Sequence, residues 1–490
     1  MSLRTRPTPP AARPATPEPR LPHNNITPEP AHRAALPLGP DPQRLPWTDT
    51  PLDIVRRWPR QRPLGVLLSG RSDPQWARFS VLAEPQADPA RHLWSLNPQH
   101  AGDADPFRPA ADRLQAAIDS GVPHLVMLGY DLGRALDFDA PPDQRTDRDR
   151  QALADRAWPD LALLPCPGLL VHDALTQTWS ARGTYAEQPP QLEPEPCHDP
   201  FTAAPPAAHR TPAEHRAAVA AALDYIAAGD IFQVNLAQRF TADCHGSPRD
   251  LFTRLAQTHP AWYAAHLELP RSGSEPQRTL VSASPELFLE LDADGHVTTR
   301  PIKGTRPANT PADQLRDSLK DQAELNMIVD LLRNDLGRVA RFGSVRVSQP
   351  RTIESHPTVH HAVATVNAQL RAGLGLVDLL RATFPGGSIT GAPKIRAMQI
   401  IDELEPVQRG PYCGTVGLID GPNAWLNITI RTALIEQDPT TPTAPTTPNG
   451  RGRLDFSVGG GIVADSDPAA EQQECLDKAA ALLDVLRSGV

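Results

Sequence analysis

The stretch TPAEHRAAVAAALDYIAAGDIFQVNLAQRFTAD (211–243) passes directly from a helical pattern into a strand-like one. Thr211 can cap a helix, Pro212 suits the first helical position, and alanine-rich helical periodicity continues to residue 230. From residue 231 the side chains alternate with the two-residue period of a strand. The sequence therefore predicts a long helix followed at once by a long strand.

Both patterns recur along the chain in runs rather than in strict alternation. Helical periodicity returns near residues 313–334, 374–383, 392–404 and 467–487. Strand-like runs lie between them, among them NITIRTALI, which starts at residue 427. Segregated runs of this kind favour an α+β fold with large antiparallel sheets.

Proline-rich zones divide the chain. Residues 1–45 are dominated by Pro, Ala and Arg, and we expect them to form a disordered tail. A second such zone near residue 200 separates an amino-terminal region, 46–200, from a carboxy-terminal region, 201–490. A third zone, 436–453, is predicted to be a low-complexity insert that lengthens the loop of a hairpin.

Composition and charge exclude several classes of protein. The chain has 490 residues, which is longer than one ordinary domain. Of these residues 40% are hydrophobic, which is enough to form a large core. A net charge of −9 argues against nucleic acid as a partner. The five cysteines form no CxxC pair, and no apolar run resembles a membrane span or a secretory signal. We therefore expect a reduced, cytoplasmic protein without a membrane partner.

The pentapeptide PIKGT (301–305) places Lys303 between a strand-like run and a polar turn. Proline and glycine on either side restrict the backbone, whereas the lysine stem stays flexible. If its surroundings partly desolvate the amine, the pKa of the amine falls and lysine becomes a nucleophile. The alternative for such a motif is a solvated lysine at the end of a strand.

The last predicted helix carries an acidic stripe. Glu471, Glu474 and Lys478 share one face, and Leu476 and Leu483 are predicted to anchor the opposite face in the core. Two carboxylates one turn apart suit a magnesium ion. A solvent-facing stripe with a Glu–Lys pair is the alternative. The run GGG (459–461) before this helix can offer backbone N–H groups to an anion, or it can simply form a tight turn.

Six segments, in this order, resemble the chorismate-utilising enzymes, the family of anthranilate synthase component I, aminodeoxychorismate synthase component I, isochorismate synthase and salicylate synthase. They are LVSASPELFLE (280–290), DQAELNMIVDLLRNDLGRVA (321–340), TVHHAVATV (358–366), FPGGSITGAPKIRAMQIIDELEP (384–406), YCGTVG (412–417) and GGGIVADSDPAAEQQECLDKAA (459–480). The resemblance is dense over residues 210–490 and looser over 45–205. It implies layered antiparallel sheets with surrounding helices, as in anthranilate synthase component I, and an active site in a central cleft.

The resemblance also implies how this site binds its ligands. Acidic positions on two helices, Glu324 with Asp321 and Glu474 with Glu471, would coordinate Mg²⁺, which binds the substrate carboxylate. The remaining contacts to chorismate would come from Gly459, Gly461, Arg431, Lys478, Tyr412 and Ser388. Arg431, on the strand NITIRT, and Lys478 would pair with the enolpyruvyl carboxylate.

Three further residues are expected to act in the reaction or to select it. His361, rather than His360, would lie beside the departing ring hydroxyl, and Glu286 would protonate that hydroxyl as a general acid. The structural alternatives are a core histidine and an ordinary glutamate at a strand end. Gln233 stands where isochorismate and salicylate synthases have a lysine that activates water, so the resemblance disfavours a water-adding enzyme.

Lysine at position 303 resembles the aminodeoxychorismate synthase branch, since anthranilate synthases typically have alanine there. The implied reaction converts chorismate and ammonia to 4-amino-4-deoxychorismate, for p-aminobenzoate and folate synthesis, through a covalent lysine intermediate. No cysteine lies in a GxCxG-type elbow, so a separate glutamine amidotransferase subunit would supply the ammonia. The alternatives are an anthranilate synthase component I of the tryptophan pathway and a non-catalytic chorismate-binding protein.

Overall fold

A computed structural model describes residues 42–70, 73, 76–96, 105–136, 152–196, 199–438 and 451–487. Most of the predicted tail, 1–45, and most of the predicted insert, 436–453, lie outside these residues. No helix in the described ranges is long and apolar enough to cross a membrane.

The described ranges contain eleven α-helices. They are α1 (Pro51–Arg57), α2 (Pro89–His92), α3 (Arg108–Asp119), α4 (Thr184–Glu187), α5 (Pro212–Ala227), α6 (Pro248–Thr258), α7 (Ala312–Arg316), α8 (Leu319–Gly337), α9 (Leu376–Thr383), α10 (Lys394–Leu404) and α11 (Pro468–Arg487).

The same ranges contain twenty-three strands. They are β1 (Gln43–Leu45), β2 (Gly65–Leu68), β3 (Phe79–Ala83), β4 (Leu93–Trp94), β5 (His124–Leu128), β6 (Leu161–Pro165), β7 (Gly168–Asp173), β8 (Thr178–Gly183), β9 (Thr202–Ala203), β10 (Ala207–Ala208), β11 (Gln233–His245), β12 (Tyr263–Glu268), β13 (Gln277–Ser284), β14 (Leu287–Leu291), β15 (His296–Arg300), β16 (Ile302–Pro307), β17 (Arg346–Ser355), β18 (Val359–Gln369), β19 (Gly391–Ala392), β20 (Thr415–Asp420), β21 (Asn423–Ile428), β22 (Thr432–Gln437) and β23 (Gly452–Ile462).

These strands form two antiparallel sheets. The first has the order β1-β8-β7-β3-β2-β12-β13-β22-β23-β11-β10, with β9 and β19 also paired to β11. The second has the order β16-β18-β15-β14-β21-β20-β5-β6-β4, with β17 also paired to β18. Strands from both sides of residue 200 belong to each sheet. The predicted α+β class with large antiparallel sheets is confirmed.

The two sheets pack face to face through one cluster of buried apolar side chains. Val81 and Leu280 from the first sheet lie in the same cluster as Leu125 and Val416 from the second. The contact is close, since a Cβ built on Gly65 of β2 would lie only 2.1 Å from a methyl carbon of Leu125. Close face-to-face packing buries apolar area without polar cost.

The stretch 211–243 folds as its pattern predicts. Thr211 accepts a hydrogen bond from the main chain of Glu214, and the Glu214 carboxylate accepts one from the main chain of Thr211, which closes a capping box. Strand β11 then pairs with β23 along eleven residues, from Val234 opposite Ile462 to Cys244 opposite Gly452. This long ladder fixes where the residues at the amino-terminal end of β11 lie.

Two helix predictions need correction. The helix predicted over 313–334 is interrupted, because Ser318 is the amino-terminal cap of α8 and accepts a hydrogen bond from Asp321. The buried face of α11 is also displaced from the prediction. It contains Glu471, Cys475 and Ala479, whereas Leu476 is 37% exposed. The small side chains of Cys475 and Ala479 allow α11 to pack close to the first sheet.

Candidate active site

Lys303 lies in an irregular part of β16, at the edge of the second sheet. The pairing of β16 with β18 shifts register between Ile302 and Thr305, and Gly304 has a φ of 85°. Glycine adopts this left-handed conformation without a steric penalty. A Cβ at Gly304 would also lie 2.9 Å from the carboxylate of Asp321. The glycine of the PIKGT motif is thus required for the turn that positions Lys303.

The Lys303 ammonium and the Gln233 amide meet over the glycine run of β23. A Cβ built on Gly461 would lie 3.0 Å from Lys303 Nζ and 3.2 Å from Gln233 Nε2. Gly461 is the ladder partner of Asn235 on β11. This arrangement joins β16 of the second sheet to β11 and β23 of the first, and we refer to this region as the candidate cleft.

Lys303 has no hydrogen-bond or ion-pair partner among the residues that the structure describes. Burial of its ammonium end lowers the pKa of the amine, while the negative charges of Glu324 and Glu286 act in the opposite direction. A desolvated lysine reaches its neutral, nucleophilic form at a lower pH than a solvated one. The direction of this shift favours the neutral amine that a lysine nucleophile requires.

Gln233 is completely buried, and in the described structure neither its amide nitrogen nor its amide oxygen has a hydrogen-bond partner. A buried polar group without a partner costs about 1–3 kcal/mol, and native proteins rarely leave one unpaired. Both atoms are therefore available to a ligand in the cleft. A neutral amide cannot take a proton from water as a lysine can.

Glu286 follows β13 and is 4% exposed. Ser388 donates a hydrogen bond of 2.6 Å from Oγ to Glu286 Oε1. Burial raises the pKa of the Glu286 carboxyl to about 7, although this hydrogen bond and the charges of Lys303 and Arg431 lower it. Burial therefore favours the protonated form of Glu286, which can donate a proton.

Arg431 lies between β21 and β22 and not within a strand, which corrects the prediction. Its φ of 50° is left-handed and interrupts the strand pattern, and β22 begins one residue later. The main-chain N–H of Ala283 donates a 3.1 Å hydrogen bond to its carbonyl. Among described residues the guanidinium has no ion-pair partner, and burial lowers its pKa against the effect of Glu286. An unpaired, desolvated guanidinium is well suited to a carboxylate.

His361 on β18 is buried, and its Nδ1 lies 2.8 Å from Thr305 Oγ1. The two residues are direct partners in the ladder between β16 and β18. Burial lowers the pKa of the His361 imidazole well below its ordinary value, and the charge of Arg431 acts in the same direction. The ring is therefore neutral at physiological pH. Sequence reasoning missed Thr305, because only the register of the sheet shows it opposite His361.

Glu324 on α8 and Glu474 on α11 belong to the set of predicted metal ligands. Burial raises the pKa of Glu324, and the charge of Glu474 contributes in the same direction. Burial alone would raise the pKa of Glu474. The positive charge of Lys478, 2.8 Å away, outweighs this effect, and the pKa of Glu474 is lowered. A divalent cation would offset the repulsion between these carboxylates and the cost of burying Glu324. Carboxylates are the ligand type that Mg²⁺ prefers, and a metal site at these two glutamates stays a prediction.

All four predicted ligands have partners, and Glu324 lies 3.9 Å from the ammonium of Lys320. Ser466 donates a 2.6 Å hydrogen bond to Glu471, and Arg306 forms a 2.7 Å ion pair with Asp321. The described residues contain one group of three ligand-type side chains within 4.8 Å of one another, in the turn between β14 and β15, and it includes none of the predicted ligands. That group is Asp292, Asp294 and His296.

The glycine run is bound by Lys478, whereas Tyr412 has a different environment. Lys478 Nζ donates a 3.0 Å hydrogen bond to the carbonyl of Gly459, and a Cβ on Gly459 would lie 2.7 Å from the Leu236 carbonyl. Tyr412 is buried beside Arg409, whose guanidinium lies 5.9 Å from the ring centroid. Within the described structure no hydrogen bond joins Tyr412 to the other predicted site residues.

Known proteins resemble this chain along most of its length. Residues 67–484 match a family described as chorismate binding enzyme. The chain is 40% identical over 487 residues to aminodeoxychorismate synthase component 1 of Salmonella typhimurium. This alignment covers 92% of this chain and 99% of that protein. It is 45% identical over 271 residues to an anthranilate synthase component 1 of Haloarcula marismortui, which covers 54% of this chain and 51% of that protein.

A solved structure bears out the predicted architecture. The crystal structure of anthranilate synthase component I from Streptococcus pneumoniae superposes with a TM-score of 0.65 at 28% identity, covering 84% of this chain and 93% of that chain. The expected resemblance in fold to anthranilate synthase component I is thereby confirmed.

Proposed function

The chain belongs to the chorismate-binding enzyme family, and we propose that it converts chorismate and ammonia to 4-amino-4-deoxychorismate. This is the reaction of an aminodeoxychorismate synthase component 1. The observation that carries the proposal is the Lys303 amine, which is desolvated, unpaired within the described structure, and adjacent to Gly461 and Gln233. The relative from Salmonella typhimurium, aligned over nearly the whole chain, supports the same assignment.

Chorismate is a dicarboxylate, and the cleft offers complementary groups. The free guanidinium of Arg431 pairs with the enolpyruvyl carboxylate, and the unpaired amide of Gln233 donates to and accepts from the substrate. Glu324 and Glu474 would hold Mg²⁺. An ion held there would supply positive charge for the second carboxylate of the substrate and help to orient the ring.

The reaction then takes two displacements. Neutral Lys303 attacks the ring carbon beside the carboxyl-bearing one, the double bonds shift, and Glu286 gives its proton to the hydroxyl, which leaves as water. Neutral His361 hydrogen-bonds this hydroxyl. Ammonia adds at the carbon that lost the hydroxyl, the electron pairs shift back, and Lys303 leaves as a free amine. A proton of the new ammonium group returns to Glu286. Covalent capture replaces one difficult displacement with two easier ones.

The ammonia comes from a separate glutamine amidotransferase subunit. Glutaminases of this kind require a reactive thiolate. The four cysteines that the structure describes are all buried, and burial raises the pKa of each thiol to about 12; they are Cys166, Cys244, Cys413 and Cys475. None of these four is suited to hydrolyse glutamine, which favours a partner that does so.

Product analysis tests the proposal directly. The purified chain is incubated with chorismate, magnesium and ammonium at alkaline pH, and the products are identified by mass spectrometry. We expect an amino product that keeps the enolpyruvyl group, and we expect Lys303→Ala to slow its formation at least about 100-fold. Anthranilate and pyruvate would instead assign the chain to the anthranilate synthase reaction. Unaltered chorismate with every nitrogen source would favour a non-catalytic binding protein.

A further inference from the structure

Asn235 lies two residues after Gln233 on β11, and its side-chain amide is buried without a hydrogen bond. The residue is 8% exposed, and its amide oxygen has no hydrogen-bond partner among the residues that the structure describes. The amide nitrogen forms no hydrogen bond to a described residue either. Native proteins rarely leave a buried polar group unpaired, because its desolvation is costly. Asn235 is therefore a candidate for contact with a ligand.

The Asn235 amide lies on the same face of β11 as the Gln233 amide, because side chains two residues apart point to the same side of a strand. Each amide lies over one glycine of β23. A Cβ built on Gly461 would lie 3.2 Å from Gln233 Nε2, and Lys303 Nζ lies over the same glycine. A Cβ built on Gly459 would lie 2.8 Å from Asn235 Oδ1. The Asn235 amide thus extends the polar row of the candidate cleft along the glycine run.

The main chain of Asn235 is held in place by two buried residues outside β23. Its N–H donates a 2.7 Å hydrogen bond to the carbonyl of Thr390, and its carbonyl accepts one of 2.7 Å from Nη2 of Arg409. Arg409 is in turn fixed by a 2.7 Å hydrogen bond to Glu405. The backbone is therefore already ordered, and a ligand that contacts the Asn235 amide pays little for ordering it.

The chemistry of chorismate indicates which kind of atom the amide would contact. Two carboxylates and an ether link give this molecule several acceptor oxygens, whereas its ring hydroxyl is a single donor. In the proposed mechanism Glu286 and His361 already contact that hydroxyl. An amide NH₂ group offers two donors, and rotation of the amide exchanges its oxygen and nitrogen ends. The expected partner of Asn235 is therefore an acceptor oxygen of the substrate.

The place of Asn235 along the glycine run favours the enolpyruvyl group over the ring carboxylate. Attack by Lys303 on a ring carbon requires the ring to lie near Gly461. Gly459 is two residues away along the strand, roughly 7 Å, so a group beside it projects from the ring. The ring carboxylate is expected near Glu324 and Glu474, which leaves the enolpyruvyl oxygens for this position.

We propose that Asn235 is a further substrate-binding residue, whose amide NH₂ group donates a hydrogen bond to an oxygen of the enolpyruvyl group of chorismate. This contact would hold the ring in register with Lys303. The inference rests on the proposed function, because it takes chorismate as the substrate.

Two substitutions at this position distinguish a ligand that accepts hydrogen bonds from one that donates them. Asn235→Leu removes the amide at nearly the same size, and Asn235→Asp keeps the shape but replaces the donors with a negative charge. Asn367→Leu is the matched control, since the Asn367 amide on β18 is already hydrogen-bonded to Thr298 and Ser348. Calorimetric titration with chorismate and magnesium at pH 8, without a nitrogen source, measures affinity independently of amination. Melting temperatures show whether each variant is folded, and turnover with ammonium is measured separately.

We expect the dissociation constant for chorismate to be about tenfold larger in Asn235→Leu and larger still in Asn235→Asp, whose charge repels a carboxylate. The KM for ammonium should stay within about twofold of the wild-type value in Asn235→Leu, and Asn367→Leu should resemble the wild type. If Asn235→Leu does not fold, Asn235→Asp decides alone, and wild-type affinity in that variant contradicts the inference.

Unchanged affinity for chorismate in both Asn235 variants would overturn the inference. A raised KM for ammonium in Asn235→Leu that returns to normal in Asn235→Asp would also overturn it, because the amide would then accept a hydrogen bond from ammonia. If the wild type binds chorismate but forms no amino product with ammonium, the proposed function fails, whereas the affinities still decide the role of Asn235.

Discussion

Ser388 donates a 2.6 Å hydrogen bond to Glu286 inside the cleft, yet the pKa of Glu286 is still raised to about 7. Burial outweighs the hydrogen bond because an ionised carboxylate loses more by desolvation than one hydroxyl donor restores. Glu286 is therefore a group whose ionisation weakens the fold and whose protonated form serves catalysis.

This relationship predicts how Glu286→Gln changes stability with pH. In the unfolded chain the carboxyl ionises near its ordinary pKa of 4.5, whereas in the folded chain it ionises near 7. The folded protein thus loses stability as pH rises from 4.5 to 7 and stays at this lower level above 7. A shift of this size corresponds to about 3 kcal/mol. Glu286→Gln should therefore be increasingly more stable than the wild type above pH 5, by up to about 3 kcal/mol at pH 8.

Urea unfolding of the two proteins at pH 5, 7 and 8 measures this difference. A constant difference in the free energy of unfolding across this range would mean that Glu286 does not titrate between the two states. The same variant should lose turnover about 100-fold at every pH, because glutamine cannot supply the proton. Loss of activity together with gain of stability would separate the two roles of Glu286.

Arg431→Gln should weaken substrate binding more than it slows the chemical step. The guanidinium has no ion-pair partner in the described structure, so its function is expected to be the pairing with a substrate carboxylate. A charge-assisted hydrogen-bonded pair contributes about 1.5–3 kcal/mol, so KM for chorismate should rise roughly 10- to 100-fold. Steady-state kinetics with saturating ammonium measures kcat and KM separately. An unchanged KM would show that the carboxylate binds elsewhere.

Gly461→Ala should reduce activity without unfolding the protein. The added methyl group would lie 3.0 Å from Lys303 Nζ and 3.2 Å from Gln233 Nε2, so both polar groups must shift by a few tenths of an ångström. We expect kcat/KM for chorismate to fall at least about 10-fold. Gly337→Ala is the control, because a Cβ there would meet no atom within 4 Å. Equal activity of the two variants would contradict the arrangement of Lys303 and Gln233 described above.

Sequence patterns predicted those parts of the fold that are determined locally. The capping residue Thr211 and the alternation in β11 predicted a helix and a strand at nearly the observed positions. The break at Arg431 could not be predicted, because NITIRTALI reads as one strand and only the tertiary structure imposes a φ of 50° there. Thr305 was missed for the same reason, since its pairing with His361 depends on a register shift in β16.

The candidate site divides in a similar way. The family resemblance predicted which residues form the site. The structure brings three of them, Lys303, Gln233 and Gly461, close together although they are far apart in sequence. Sequence could not indicate that Asp321 is engaged by Arg306. Such pairing depends on neighbours from other elements, and no pattern along a single helix reveals it.

Glu324→Gln and Glu474→Gln should each weaken the response of the chain to magnesium. If these carboxylates hold the ion, millimolar Mg²⁺ should raise the melting temperature of the wild type and shift it less in either variant. Differential scanning calorimetry with and without Mg²⁺ measures this without reliance on activity. Asp330→Asn, an exposed acidic residue also on α8, is the control and should respond as the wild type does. Identical shifts in all four proteins would show that the ion binds elsewhere.

Thr305→Val should disturb catalysis through His361, because Thr305 is a positioning residue and does not contact the substrate itself. Its hydroxyl lies 2.8 Å from His361 Nδ1, and that nitrogen is buried, so removal of the hydroxyl leaves it without this partner and frees the choice of tautomer. We expect kcat to fall about 10-fold with little change in KM, while Thr305→Ser, which keeps the hydroxyl, should restore most of it. The ¹⁵N chemical shifts of His361 report the tautomer directly and should change in Thr305→Val but not in Thr305→Ser. If the two variants lose equal activity with unchanged shifts, Thr305 serves only to pack β16 against β18.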